Sequence, residues 1–302
     1  MPTNTTSSTL EQEIRTNRIS IYACAIIGLA SFLVGVITDS VTMMLDSSAW
    51  GAGVITSILY THIIKTVDKS PDAKYNFGYS KYEPLAVTIE GLLILSACVL
   101  SVKFAIQDLV HPEDTSGYTL VIFATGITGI VSLAIGLYTQ RVSRKIRSPI
   151  LASSGLSWYT DGLASLGLCA GFSVGETLAR FGASRTVVHN VDPIMAIVLT
   201  IVLMVPPVRM IRSNMLDLLD ANPGAAMEAS VREFVERFRA EYGLQEVKRL
   251  RLRKAGRKVF LNLSFISDGT RTMREMDQIA HEFSTQAGKE LGSVDVMVYF
   301  DT

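Results

Sequence analysis

The sequence predicts a membrane all-α six-helix transmembrane domain plus a small α+β cytoplasmic C-terminal domain of order α-β-β-α-β. Three observations carry this. Apolar stretches long enough to cross a bilayer recur between residues 18 and 215, while Arg, Lys and Glu concentrate beyond residue 222. Of 302 residues, 48% are hydrophobic and only 19% charged, and the mean hydropathy of +0.32 is that of a membrane protein with a soluble part. The periodicity then changes past Pro223, from continuous apolar runs to short amphipathic ones. Three segments follow: a polar cytoplasmic N-terminal segment over 1–17, the membrane domain over 18–215, and a cytoplasmic domain over 222–302.

A spanning helix needs about 20 mainly apolar residues. Six stretches qualify, near residues 19–37, 41–64, 85–110, 118–138, 150–178 and 193–210. Loop charge sets the orientation, because cytoplasmic loops carry the excess Lys and Arg. Lys65, Lys69, Lys74 and Lys81 follow the second stretch, and Arg141, Arg144, Lys145 and Arg147 follow the fourth. The opposite loops "TDS" and "HPEDTSG" carry no basic residue, and only "RFGASR", with Arg180 and Arg185, departs from the pattern. Both termini are therefore predicted in the cytoplasm. The opening "MPTNTTSSTLEQEIRTNR" lacks the basic-then-apolar order of a cleavable signal and reads as a short mobile lead-in. A 33.0 kDa chain of this kind fits a bacterial inner membrane.

In the tail, "AAMEASVREFVERFRAEYG" puts Val231, Phe234, Val235 and Phe238 on one helical face. "VKRLRLRKAGRKVFLNLSFI" reads as two strands around a Lys-Ala-Gly-Arg turn. "RTMREMDQIAHEFSTQAGKELG" is a second amphipathic helix and "VDVMVYFD" a last strand, with both helices expected on one sheet face. Arg249, Arg251 and Arg253 alternate with Leu250 and Leu252 and line one strand face, either solvated or turned to anionic lipid. The small positive excess and lack of interleaved aromatics exclude a nucleic-acid site.

Ionisable residues inside a membrane are the default functional candidates. Here they are Asp46, Glu90, Lys103, Asp161 and Asp192. Lys103 and Asp192 lie nearer their helix ends. Glu90 has no carboxylate or His one turn away, so its expected partner is a hydroxyl or a Lys. Ser157 and Asp161 are four apart and share a helix face, as do Asp46, Ala49 and Gly53 approximately. Carboxylates with a hydroxyl suit a small hard cation. The three cysteines, Cys24, Cys98 and Cys169, form no CxxC pair and read as packing residues. No Gly-rich phosphate loop, nucleophile elbow or HExxH motif is present, so the chain reads as a non-enzyme with no resident cofactor.

The local strings resemble the cation diffusion facilitator family over nearly the whole chain. "SVTMMLDSSAWGAG" is similar to the family's helix-two signature, in which His or Asp stands four residues before an Asp. "FGYSKYEPLA" is similar to its Phe-Gly-His/Tyr-x-Lys-x-Glu segment, "LSWYTD" to its helix-five His-x-x-x-Asp, and "VDPIMA" to its helix-six start. The resemblance implies a homodimer, embedded in a lipid bilayer, that exports a divalent cation, usually against protons. It implies a metal site between helices two and five.

Carried over residue by residue, that site is depleted. The two helix-two ligand positions are Ala49 and Gly53, which have no donor and are not expected to bind. The helix-five His is Ser157, and only Asp161 keeps the family residue. Asp46 lies one turn from Ala49, so Asp161, Asp46 and Ser157 form the candidate metal set. In the loop after helix two, Asp72 is kept as a second candidate site, while the family's His positions are Tyr75 and Tyr79. In the tail, Lys248, Ser264, Glu275 and Tyr299 stand where His is common, and Asp301 is kept. Lys81 is expected to pair with Asp217 or Asp220 across the dimer, as a structural contact.

Two functions remain. One is divalent cation efflux through an atypical oxygen-rich site, proton-coupled through a carboxylate, for Mn²⁺, Fe²⁺, Zn²⁺ or Mg²⁺. The other is a non-transporting paralogue that serves as a scaffold or as the heterodimer partner of a related transporter. In that case Ala49, Trp50 and Gly53 let helices pack where the family holds its ion.

Overall fold

The computed structural model describes residues 4–38, 41–67, 69–110, 118–182, 184, 190, 193–194, 197–198, 200–267 and 269–301; the side chains of 4–8, 38, 41–46, 48–49, 118 and 179 lie outside that description. Five long helices come first: α1 (Asn4–Thr38), α2 (Val41–Val67), α3 (Tyr82–Val110), α4 (Tyr118–Ile146) and α5 (Pro149–Arg180). Described residues between 190 and 203 are helical, and α6 (Val205–Leu218) follows. The remainder is α7 (Ala225–Glu241), β1 (Val247–Ala255), β2 (Lys258–Ile266), α8 (Met273–Glu290) and β3 (Val294–Asp301).

Among the described residues, three helices are long and apolar enough to cross a membrane, over Thr9–Ile37, Tyr82–Val110 and Thr119–Ile146. The sequence predicted six such spans. The helices α2 and α5 are not among those three. The helices are apolar outside and polar inside. Tyr22, Ile26, Ile37, Phe123, Ile127 and Ile130 are exposed, whereas Ser20, Asn17, Ser132, Ser153 and Ser165 are buried. This inversion suits a hydrocarbon solvent, where interior polar groups bond across helices.

The chain forms two compact units, one of Met1–Lys69 with Ala86–Arg212, the other of Ser70–Leu85 with Ser213–Thr302. The loop after α2 and the first turn of α3 thus group with the tail in the second unit.

In the first unit, α4 and α5 meet along reciprocal glycines. A Cβ on Gly129 would lie 2.7 Å from Leu166 Cγ, and one on Gly136 3.0 Å from the Tyr159 backbone nitrogen. From the other side, a Cβ on Gly155 would lie 3.1 Å from the Gln140 nitrogen and one on Gly162 2.9 Å from the Leu133 nitrogen. Both helices repeat the small residue seven positions apart, so one stripe faces the other and the backbones close up.

The polar segment expected as a separate lead-in over 1–17 is instead the start of α1 from Asn4. Its polar residues have partners inside the unit. Asn17 Nδ2 donates to the Ser57 carbonyl at 2.6 Å and to Thr61 Oγ1 at 2.8 Å, and buried Glu13 accepts from the Ser148 hydroxyl.

The tail has the expected element order. Its sheet runs β1-β2-β3, with β1 and β2 antiparallel and β2 and β3 parallel. The hairpin closes through Gly256 and Arg257 between paired Ala255 and Lys258. Gly256 takes φ +60° at the first turn position, where only glycine is unstrained. Alternation along β2 turns Leu261, Leu263 and Phe265 to one face, against Val231, Phe234, Val235 and Phe238 of α7 and Phe283 of α8. Both helices therefore cover one face. Thr272 and Glu275 close a capping box at the start of α8.

Candidate functional site

Four oxygen-bearing side chains from three helices of the first unit converge on one point. Glu90, the ninth of the 29 residues of α3, is only 8% exposed. Its Oε1 accepts from the Ser157 hydroxyl at 2.8 Å, and its Oε2 accepts from the hydroxyls of Tyr60 on α2 and Ser153 on α5. Tyr60 Oη and Ser153 Oγ lie 3.2 Å apart, and Ser153 also reaches Met210 Sδ at 3.3 Å. Tyr60 is 1% exposed and Ser153 2%. Among the described residues, no Lys, Arg or His forms an ion pair with Glu90. Helical spacing explains the α5 half, since Ser153, Ser157 and Asp161 recur every four residues and share a face.

Of the expected metal set, Ser157 therefore bonds to Glu90. Asp161 is an exposed residue on the next turn of the same face, and the Asp46 side chain lies outside the described residues, as does Ala49's. Gly53 faces α1, where a Cβ would lie 3.1 Å from Cys24 Sγ. Between these positions Trp50 of α2 packs on Trp158 of α5, ring centroids 5.4 Å apart, in a buried cluster with Cys24 and Ile27. Trp158 Nε1 donates to Ser20 Oγ at 3.0 Å. Among the described residues, no three His, Cys, Asp or Glu side chains gather as a metal site. Glu90's need for a hydroxyl partner was readable from the sequence, and Ser153 could have been found as the next residue on the Ser157 stripe. Nothing in the sequence signalled Tyr60.

The second unit holds the other family positions. Asp72 Oδ1 accepts from the backbone nitrogens of Lys74 and Tyr75, and Oδ2 accepts from Tyr79 Oη at 2.6 Å. Tyr82 Oη donates to Tyr75 Oη at 2.8 Å. These bonds hold the exposed Asp72 carboxyl below the usual range, chiefly through Tyr79, and push the Tyr79 phenol up to about 12. The expected second metal position is thus a carboxylate closed by a phenol and two backbone amides. In the tail, Lys248 Nζ lies 3.5 Å from Asp301 Oδ2, which also accepts from Ser264 Oγ at 2.7 Å. An ammonium there opposes a metal ion. Glu275 is engaged at the α8 cap, and the Tyr299 hydroxyl turns to Met297 Sδ at 3.4 Å.

Within the chain, Lys81 Nζ lies 3.0 Å from Asp220 Oδ1, and Asp217 Oδ2 lies 3.4 Å from Lys254 Nζ. Arg253, predicted on an open strand face, shares Asp220 at 2.9 Å and stacks 4.2 Å from the Phe260 ring centroid. Buried Glu83 accepts from Arg257 Nε at 2.8 Å, Nη2 at 2.5 Å and the Arg257 backbone nitrogen at 3.0 Å.

Comparisons with known proteins give the family. The "Probable cation efflux system protein Rv2025c" of Mycobacterium tuberculosis is 25% identical over 273 residues, covering 89% of this chain and 77% of that protein. The "Manganese efflux system protein MneP" of Bacillus subtilis is 24% identical over 284 residues, covering 92% of this chain and 91% of its own. The "Vacuolar zinc transporter ZRC1" of Saccharomyces cerevisiae is 27% identical over 111 residues, covering 36% of this chain and 25% of its own. Residues 18–219 match the model of the cation efflux transmembrane domain, and the chain belongs to the cation efflux, or cation diffusion facilitator, family of transporters.

Proposed function

We propose that the chain exports a divalent cation through an oxygen-rich site between α2 and α5, built on Asp161, Asp46 and Ser157. The observation that carries this reading is that both family positions on α5, Ser157 and Asp161, bear oxygen and share one face. Oxygen donors without His or thiolate favour Mn²⁺, Fe²⁺ or Mg²⁺ over Zn²⁺. The relative named for manganese efflux, alignable over nearly its full length, makes Mn²⁺ the first ion to test. Exchange against protons would run through a carboxylate, since no His stands at these positions. The working form is a homodimer with six spans and both termini in the cytoplasm, in a bacterial inner membrane.

The buried Trp50–Trp158 contact supports a second reading, a non-transporting dimer partner or scaffold, because it packs α2 on α5 next to the depleted ligand positions. Vesicles containing the purified protein separate the two. Uptake of Mn²⁺, Fe²⁺, Zn²⁺ and protons would be measured for the wild type, Asp161→Ala and Asp46→Ala. Flux lost on either substitution supports transport. Absence of flux for every ion, in folded dimeric protein, rejects it in favour of the partner role.

A further inference from the structure

We infer that Glu90 replaces the missing helix-two ligands, holding a hard divalent cation together with the hydroxyls of Tyr60, Ser153 and Ser157. This rests on the transport reading and names a carboxylate that the family positions do not supply. The argument starts from charge. A carboxylate removed from water costs several kcal/mol unless something compensates it. No basic side chain does so among the described residues. What surrounds Glu90 instead is three hydroxyls, from α2 and two turns of α5. Each can turn its proton away and offer a lone pair. The cluster converts from a hydrogen-bonded cage to a ligand set by rotating O–H bonds, with the Tyr60 and Ser153 hydroxyls drawing back from Glu90 Oε2.

Geometry agrees. Neighbouring oxygens on an octahedral ion bound at about 2.1 Å lie about 3.0 Å apart. The Ser157–Glu90 contact is 2.8 Å and the Tyr60–Ser153 contact 3.2 Å. Ser157 joins the two halves of the site. It stands at the family's α5 ligand position, bonds to Glu90, and lies one turn from Asp161 on the same face. A metal site of this kind is not a cluster of His, Cys, Asp and Glu, because three of its four side chains are hydroxyl-bearing.

The test measures Mn²⁺ binding to the purified full-length protein, from the loss of the free-ion paramagnetic resonance signal, alongside Mn²⁺ uptake in vesicles. Glu90→Gln should weaken binding about 10–100-fold, the range that loss of a supporting metal contact already reaches. Glu90→Asp should fall between Glu90→Gln and the wild type. Emission from Trp50 and Trp158 checks that each variant is folded. Equal Mn²⁺ affinity in wild type and folded Glu90→Gln overturns the site, and flux that depends on Asp161 but not on Glu90 overturns it while leaving transport standing. Binding that depends on Glu90 without any flux supports the site and rejects transport. No Mn²⁺ binding by the wild type overturns the site outright. If Glu90→Gln does not fold, Glu90→Asp and Ser153→Ala carry the test, and unchanged affinity in both overturns the site.

Discussion

Removing the Glu83 carboxylate should open the β1–β2 turn. Glu83 is fully buried, and Arg257 brings it two guanidinium bonds, at 2.5 and 2.8 Å, plus a backbone N–H at 3.0 Å. In Glu83→Ala the guanidinium, 22% exposed, recovers only part of its hydrogen bonding from water, and that N–H loses its acceptor. Breaking a buried pair from one side costs about 3–5 kcal/mol. Each 1.4 kcal/mol is about tenfold in an equilibrium constant, so local opening should rise by roughly two to nearly four powers of ten. Amide hydrogen exchange read by mass spectrometry on peptides spanning residues 252–262 measures this directly, with α8 peptides as the internal reference. Glu83→Gln keeps an acceptor and should lose less. Arg257→Met in the Glu83→Ala background should add little, because the partner is already gone. Gly256→Ala should act in the same direction, since its Cβ would lie 2.2 Å from Glu83 Oε2 on a residue at φ +60°. Turn amides protected to within about twofold of wild type in Glu83→Ala, or fully additive costs in the double variant, would refute the reasoning.

Three other outcomes follow from the described contacts. Tyr79 donates to Asp72, and the bond is intact below the ordinary phenol range and lost as pH rises through about 12. It is also lost as pH falls through the depressed carboxyl range of Asp72; ultraviolet titration of Tyr79→Phe should lose one of the late-titrating tyrosines of the wild type. Trp158→Ala leaves a cavity beside Trp50, should lower stability by about 3–5 kcal/mol in a thermal melt, and should red-shift the remaining indole emission. Gly162→Ala puts a methyl 2.9 Å from the Leu133 backbone nitrogen and should cost about 1–3 kcal/mol, whereas Gly51→Ala meets nothing within 4 Å and should be neutral or stabilising.

The sequence was most informative where local chemistry decides. The tail follows from period-two alternation in β2, a glycine at the hairpin turn, and Thr272 three residues before Glu275. These signals act within a few residues. The start of α1 was missed because Glu13, Thr16 and Asn17 read as polar and exposed, and only packing against α2 and α5 makes them interior. The site was half legible. Ser157 and Asp161 follow from a four-residue repeat on one helix, and Glu90 from its cost in hydrocarbon. Its partners stand 30, 63 and 67 residues away, a pairing that helix packing alone determines. The charges around Lys81 were legible as a cluster, whereas the Arg253 and Lys254 contacts to Asp220 and Asp217 depend on how the hairpin packs within the chain.

The glycine seam between α4 and α5 makes those two helices a single stiff plate. Sliding either by one residue would drive a glycine-facing backbone into Leu133 or Leu166, so the pair resists shear. Ser153 and Ser157 ride on that plate, whereas Tyr60 and Glu90 belong to α2 and α3. Any motion that opens the polar cluster must therefore part it along its O–H···O bonds. Those bonds re-form at little cost and can exchange for water or an ion, whereas the seam cannot. The compliant joint of the bundle and its charged centre are then the same place, so whatever occupies Glu90 also sets how easily the helices separate.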